Sequence, residues 1–191
     1  MSIINPQYRN QTVLHEWLSK QTLPFLSQMA TARGLIWRQE HTIHNGMRPD
    51  AIGFCSLQMS YEDRFNKGNR LGINGEFIPD YMFVFESKVS YSDYKNSFNG
   101  DGQLKEKPYA NFHFLVVPKG FTKAYDLSTL PDYWGILEPK VSALQIIKYP
   151  KYIEIDRLFF LEAAYTILFK WGRTLNLIER ELIDTKLTSN S

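Results

Sequence analysis

The chain has 191 residues, of which 43% are hydrophobic and 22% are charged, so it is long enough to bury one core. Its 11 Gly, 9 Pro and 15% aromatic residues argue against a disordered or fibrous chain. The formal net charge of +2 is too small to indicate a nucleic-acid-binding protein, so that class requires local evidence.

Cysteine usage and hydropathy bear on the expected cellular location of the protein. Cys55 has no second cysteine with which to form a disulfide or a Cys-based zinc site, which favours a reducing compartment. The N-terminal stretch lacks the basic start and apolar core of a signal peptide, and no segment reaches the roughly 18 apolar residues of a membrane span. We therefore expect a soluble cytoplasmic protein that makes no membrane contacts.

The chain is predicted to form a single domain, which starts with a helical segment over residues 1–34. Apolar residues at helical spacing predict two short helices there, split by Pro24 and closed by Gly34. Residues 35–150 are predicted to contain the sheet. Within them, Asn45-Gly46 lies between two extended stretches and predicts a β-hairpin.

The middle of the chain alternates between predicted strands and a helix. The apolar run from Tyr81 to Phe85 predicts a central strand that is buried on both faces. The sequence Ser90-Tyr91-Ser92-Asp93 has the form of a capping box, so we expect a helix to begin there. Three further strands are predicted, in FHFLVV (112–117), WGILE (134–138) and ALQIIKY (143–149).

Residues 151–186 are predicted to form one long C-terminal helix. Apolar residues recur there on a helical stripe, at Leu158, Leu161, Tyr165, Leu168, Leu175 and Leu182. Such a stripe usually packs against a core, and the alternative is a homodimer formed through it.

A charged pair, Glu86 and Lys88, ends the most hydrophobic strand of the chain. The period-2 geometry of a strand places both side chains on one face of the sheet. Burying a carboxylate there is costly unless a cation or hydrogen-bond donors neutralise it. The pair therefore predicts a site that binds a metal ion and orients an anion, and the alternative is a plain ion pair at the strand end.

A second carboxylate must come from a neighbouring strand. The form E-x-K alone carries little weight, because Glu138-Pro139-Lys140 repeats it, and both copies follow a P-D-Y sequence. Six residues of extended strand span roughly 20 Å, so Asp80 cannot share a metal ion with Glu86 if the run between them is a strand. Asp50, in the second arm of the predicted hairpin, could do so if its strand pairs with that of Glu86, as an oxygen-rich Mg²⁺ site requires.

These residues resemble a known signature. Pro49-Asp50, followed on the next strand by Glu86-Ser87-Lys88, resembles the motif of the PD-(D/E)XK nuclease superfamily, which has the restriction-endonuclease-like fold. Over about residues 35–175, the order of blocks is similar to that of the MmcB-like DNA-repair family: RPDAIGF, ESKVSYSDY, FHFLVVPKG, WGILE and a final helix. The stretch between the two acidic motifs is longer than in that family, which keeps Asp80 as the alternative motif aspartate.

The resemblance implies an α/β domain with a restriction-endonuclease-like mixed central sheet flanked by helices. It further implies a Mg²⁺- or Mn²⁺-dependent hydrolase of nucleic acid phosphodiesters, with DNA as the expected partner and DNA repair as the expected setting. Asp50 and Glu86, with the backbone carbonyl of Ser87, would hold the metal ion. Lys88 would orient the attacking water and stabilise charge on the phosphoryl oxygens. The alternative is a catalytically inactive protein of this fold that binds DNA or a protein partner.

Other residues are weaker candidates for the site. Glu16, on the first helical stretch, and Glu40, on the first strand of the hairpin, are candidate additional acidic ligands, although a solvated position is commoner for both. His15 and His113 have no partner in sequence, so no zinc site is predicted. The candidate nucleic-acid contacts are basic: Arg64, Lys67, Arg70, Lys95, Lys105 and Lys107.

Overall fold

A six-stranded mixed sheet organises the computed structural model of the chain. The described residues are 11–40, 42–43, 47–58, 80–98, 108–141 and 143–169. None of the helices in these ranges is both long enough and apolar enough to span a bilayer.

The described elements follow the predicted order, with one short helix added after the fourth strand. In chain order they are α1 (Gln11–Met29), β1 (Ala30–Gln39), β2 (Ala51–Leu57), β3 (Tyr81–Ser87), α2 (Tyr91–Phe98), β4 (Phe112–Val116), α3 (Phe121–Ala124), β5 (Trp134–Lys140), β6 (Ala143–Lys148) and α4 (Arg157–Phe169). The fold is therefore α/β, with helices on a mixed sheet.

The strands lie in the order β1-β2-β3-β4-β5-β6. The three central strands β3, β4 and β5 are parallel, and the outer strands are antiparallel to their neighbours. The C-terminal ends of the parallel strands therefore meet at one edge of the sheet, at Ser87, Val116 and Leu137, which we call the carboxyl edge. Crevices at such edges are where open α/β sheets bind ligands.

The predicted central strand is confirmed, since all seven residues of β3 are buried. On one face of the sheet, its phenylalanines stack on those of β4, with ring centroids 4.9 Å apart for Phe83 and Phe112 and 5.6 Å apart for Phe85 and Phe114. Helix α1 covers this face, while α4 and α2 cover the opposite face. The two layers of helices explain why this strand is apolar at every position up to Phe85 rather than alternating.

The predicted hairpin is confirmed in its pairing: β1 and β2 are antiparallel, with Gln39 opposite Ala51. The turn residues Asn45-Gly46 lie outside the described residues. The predicted cap is also confirmed, because the Ser90 hydroxyl accepts a hydrogen bond from the Asp93 N–H (3.2 Å) at the start of α2.

The N-terminal segment differs from its prediction in two respects. It is one continuous helix through Pro24, and the next strand begins at Ala30 rather than at residue 35. Pro24 lies on the exposed side, where water can hydrogen-bond the carbonyl that its missing N–H leaves unpaired, while Phe25 and Leu26 are buried against the sheet. Pairing of Ala30 with Leu57 ends the helix earlier than its sequence suggests.

The last helix begins at Arg157, six residues later than the predicted boundary at 151. Asp156 caps it, because its carboxylate accepts a hydrogen bond from the Phe159 N–H (2.9 Å). The described part of the predicted stripe includes Leu161, which is buried in the core beneath α4. Leu175 and Leu182 lie outside the described residues, so a homodimer through this helix stays a prediction.

Candidate metal site at the carboxyl edge

The sheet brings Asp50 and Glu86 together at one end of neighbouring strands. Strands β2 and β3 are antiparallel with Ala51 opposite Phe85, so the next pair outward is Asp50 opposite Glu86. The strand pairing on which the predicted site depends is therefore present. Side chains directly opposite each other in an antiparallel pair lie about 5 Å apart at Cβ, which allows two carboxylates to meet.

Asp50 is fixed by two donors. Its Oδ2 accepts a hydrogen bond from the backbone N–H of Ser87 (2.6 Å) and lies 3.1 Å from Nε2 of His15 on α1. One turn further along α1, the Ser19 hydroxyl lies 2.9 Å from that of Ser87. Helix α1 thus holds both the carboxylate and the strand end that faces it.

Glu86 is 6% exposed and pairs with Lys88, two residues further along the chain. The Lys88 ammonium lies 3.9 Å from Oε2 of Glu86 and 3.8 Å from Oδ1 of Asp93, at the start of α2. The lysine side chain is itself only 12% exposed, so its charge acts in a partly desolvated setting.

The pKa values of the two carboxyl groups are shifted in opposite directions. Burial raises the pKa of Glu86 well above its usual value, and the charge of Asp50 raises it further. Burial also opposes ionisation of Asp50, but the hydrogen bonds from His15 and the Ser87 N–H outweigh it and lower the pKa of that carboxyl. The hydrogen bond to Asp50 raises the pKa of His15 in turn.

When the pair carries a single proton, these opposite shifts favour the proton on Glu86 and the negative charge on Asp50. A divalent cation can replace that proton, since metal binding requires both carboxyls to be ionised. No group of three or more His, Cys, Asp and Glu side chains within the described ranges is placed to hold a metal ion. Two adjacent carboxylates nevertheless suit Mg²⁺, which fills its other positions with water and substrate oxygens.

Two residues of this site were missed by sequence reasoning. His15 has no sequence neighbour that signals a role, and only the packing of α1 on the sheet brings it to Asp50. Tyr109, which precedes β4, is buried close enough that the charges of Glu86 and Asp50 add to burial in raising its pKa. The only sequence signal is the four-residue spacing of His15 and Ser19, which places both on one face of a helix.

The weaker acidic candidates lie elsewhere. Asp80 precedes the first residue of β3 and so lies at the strand end opposite to Glu86, near Cys55, whose thiol pKa is raised by burial and then by this charge. Glu16 is exposed and pairs with Lys20 (2.5 Å), and Glu40 is exposed and pairs with Arg48 (2.6 Å). None of the three joins Asp50.

Of the basic candidates, Lys95 lies within the described residues, exposed on α2 with its ammonium 5.2 Å from the ring centroid of Tyr91. The others lie outside the described residues: Arg64, Lys67, Arg70, Lys105 and Lys107.

The second E-x-K copy has a different role. Glu138 is buried on β5, where its carboxylate accepts hydrogen bonds from the N–H groups of Gly120 and Thr122 and from the Thr122 hydroxyl (2.9, 2.9 and 2.5 Å). Its charge is satisfied by the start of α3, without a second carboxylate. The repeated tripeptide therefore yields one paired site and one structural cap.

Comparison with known proteins gives little functional information. No protein-family model matches the chain, and no curated protein matches it. Among solved structures, the fold is similar to that of the SPO1766 protein of unknown function from Silicibacter pomeroyi. The two share 16% sequence identity and a TM-score of 0.48, over 78% of this chain and 82% of that one.

Proposed function

We propose that this protein is a metal-dependent nuclease with a restriction-endonuclease-like fold, whose site consists of Asp50, Glu86 and Lys88. The observation that carries the proposal is the pair of partly buried carboxyls at the end of adjacent strands, with one lysine against Glu86. Two neighbouring carboxylates with one lysine ammonium against them are costly for stability. Ionisable groups in such environments are concentrated in active sites. The motif resemblance supports the same function.

The metal expected at this site is Mg²⁺ or Mn²⁺, held by Asp50, Glu86 and, as the resemblance implies, the backbone carbonyl of Ser87. When bound, such an ion polarises a scissile phosphate and lowers the pKa of a bound water. His15 donates to Asp50 and so fixes the orientation of that carboxylate, which makes it a positioning residue. Lys88 presents its ammonium beside Glu86, where it can donate to a phosphoryl oxygen.

The test is Mn²⁺ binding by calorimetry, combined with cleavage of a panel of DNA and RNA substrates. Glu86→Gln keeps the shape of the side chain but removes its charge, so we expect it to lose both Mn²⁺ binding and cleavage. Asp80→Asn is the matched control, because it neutralises an acid at the other end of the same strand. Equal binding by the wild type and Glu86→Gln would remove the metal site.

A second candidate function is a non-catalytic module that binds nucleic acid or a protein partner. It is favoured by the internal pairing of the site, in which His15 and the Ser87 N–H both engage Oδ2 of Asp50, and Asp93 shares Lys88 with Glu86. Oligonucleotide binding without Mn²⁺ binding or cleavage would support this alternative.

A further inference from the structure

Three tyrosines form a stack that runs from the core to the surface. Tyr94 is fully buried, and its ring is nearly parallel to that of Tyr91, at 5.9 Å between centroids and 11° between planes. Tyr125 stacks on Tyr91, at 4.7 Å and 6°. Tyr125 completes the stack at the surface and is 43% exposed. We call these three residues the tyrosine stack.

The tyrosine stack is held rigidly. The Tyr94 hydroxyl hydrogen-bonds Thr129 Oγ1 (3.0 Å), and its ring packs against Phe98. Phe121 packs at a tilt against Tyr125, with centroids 4.8 Å apart. A pre-ordered aromatic surface pays little conformational entropy when a flat ligand stacks on it.

The stack also lies at the carboxyl edge, beside the candidate metal site. Tyr91 is three residues after Lys88, so at about 3.6 Å per residue their Cα atoms are within about 11 Å. Tyr125 follows α3, which begins after β4 ends at the same edge.

Two lysines accompany the tyrosine stack. The Lys95 ammonium lies 5.2 Å from the centroid of Tyr91, and Lys123, two residues before Tyr125, is exposed in the last turn of α3. The neighbouring Asp126 carboxylate is engaged by the N–H and hydroxyl of Ser128 (both 2.9 Å). Aromatic rings interleaved with lysines are the pattern by which proteins bind single-stranded nucleic acid.

We infer that the exposed part of the Tyr125 ring stacks on a nucleobase of a single-stranded nucleic acid whose phosphates contact Lys95 and Lys123. This inference deepens the proposed function, on which it rests for the identity of the ligand. Stacking does not depend on base identity, because every base has a π-face, so the strand is bound with little sequence preference. The tyrosine stack then determines which part of the strand reaches Asp50 and Glu86.

The test compares two fluorescein-labelled probes of about 12 nucleotides in EDTA, by fluorescence anisotropy: oligo(dT) and an abasic strand with the same phosphates. Loss of one stacked base corresponds to about 5- to 150-fold weaker binding. We expect that loss for Tyr125→Leu with oligo(dT) and little change with the abasic strand. Tyr125→Phe should retain affinity because it keeps the ring. Oligo(rU) should give the same ordering as oligo(dT).

The matched control is Tyr149→Leu, which removes a tyrosine of similar exposure (45%) after β6, at the opposite edge of the sheet. It should bind both probes as the wild type does. Equal loss on both probes, no loss for Tyr125→Leu, or no binding of oligo(dT) by the wild type would overturn the inference. A parallel cleavage assay with Mn²⁺ separates this inference from the proposed function. Ring-dependent binding in EDTA without cleavage in Mn²⁺ would uphold the inference and reject hydrolysis, whereas cleavage in Mn²⁺ that Tyr125→Leu leaves unchanged would do the reverse.

Discussion

Neutralising Glu86 and neutralising Asp50 are expected to change the stability of the protein in opposite directions. The Lys88 ammonium, 3.9 Å from Glu86, offers about 4 kcal/mol of attraction at an effective dielectric constant of about 20. Desolvation costs several kcal/mol per ion, and Asp50 adds repulsion, which together raise the pKa of Glu86. Glu86→Gln avoids these costs and should raise the free energy of unfolding by about 1–2 kcal/mol near neutral pH.

Asp50→Asn should do the opposite. A charge-assisted hydrogen bond is worth about 1.5–3 kcal/mol and a neutral one about 0.5–1.5 kcal/mol, so each bond to Asp50 loses about 1 kcal/mol. With the Ser87 N–H and His15 both affected, the expected loss is about 2 kcal/mol. For a chain of this length, that corresponds to about 4–8 °C in Tm.

The assay is denaturant unfolding followed by tryptophan fluorescence, since Trp134 is fully buried in the core, together with a pH series. The pKa of Glu86 is raised above 4.5, so the wild type loses stability as pH rises from there, and the Glu86→Gln gain should disappear below about pH 4.5. The pKa of Asp50 is lowered below 3.8, so its contribution is present above that pH and is lost below it. A change in the free energy of unfolding in the same direction for both variants would refute the inference that Glu86 and Asp50 lie in opposite electrostatic environments.

Three further predictions concern the surroundings of the site. The pKa of His15 is raised above 6.5, so His15→Gln should cost most stability below about pH 6.5 and progressively less as pH rises through the raised value, as denaturation at several pH values would show. Gly53→Ala places a Cβ 2.2 Å from Cδ1 of the buried Leu26 and should lower the free energy of unfolding by about 1–3 kcal/mol. In a double-mutant cycle, Gly53→Ala should cost less in a Leu26→Ala background, where the clashing methyl group is absent. Glu138→Gln should cost about 1–3 kcal/mol in unfolding experiments, because an amide cannot accept all three hydrogen bonds, yet should leave Mn²⁺ binding in calorimetry unchanged.

Local patterns in the chain were sufficient to predict most elements and the strand pairing that matters. The apolar run of β3, the hairpin signal before Asp50 and the Ser90 cap are all short-range features, and each is present in the structure. The sequence also predicted that Asp50 could reach Glu86 if their two strands pair, and the structure shows that pairing.

Element boundaries were predicted less well where tertiary contacts compete with local propensity. The first helix runs through Pro24 because burial of its apolar face outweighs one lost hydrogen bond, and it ends when Ala30 pairs with Leu57. The last helix starts late, at Arg157, because the Ile153 N–H in the preceding segment donates to the carbonyl of Asn111 (3.0 Å) instead of to a helical partner.

Short-range patterns were enough to predict the residue types of the candidate site and the two strands that carry them, because period-2 patterning and turn signals act over a few residues. Three other contacts depend on how distant parts of the chain pack: His15 with Asp50, Glu138 with the start of α3, and Tyr91 with Tyr125. The residues in these three contacts are 18 to 35 positions apart in the chain. Their geometry depends on how helices pack on the sheet, which no local pattern records.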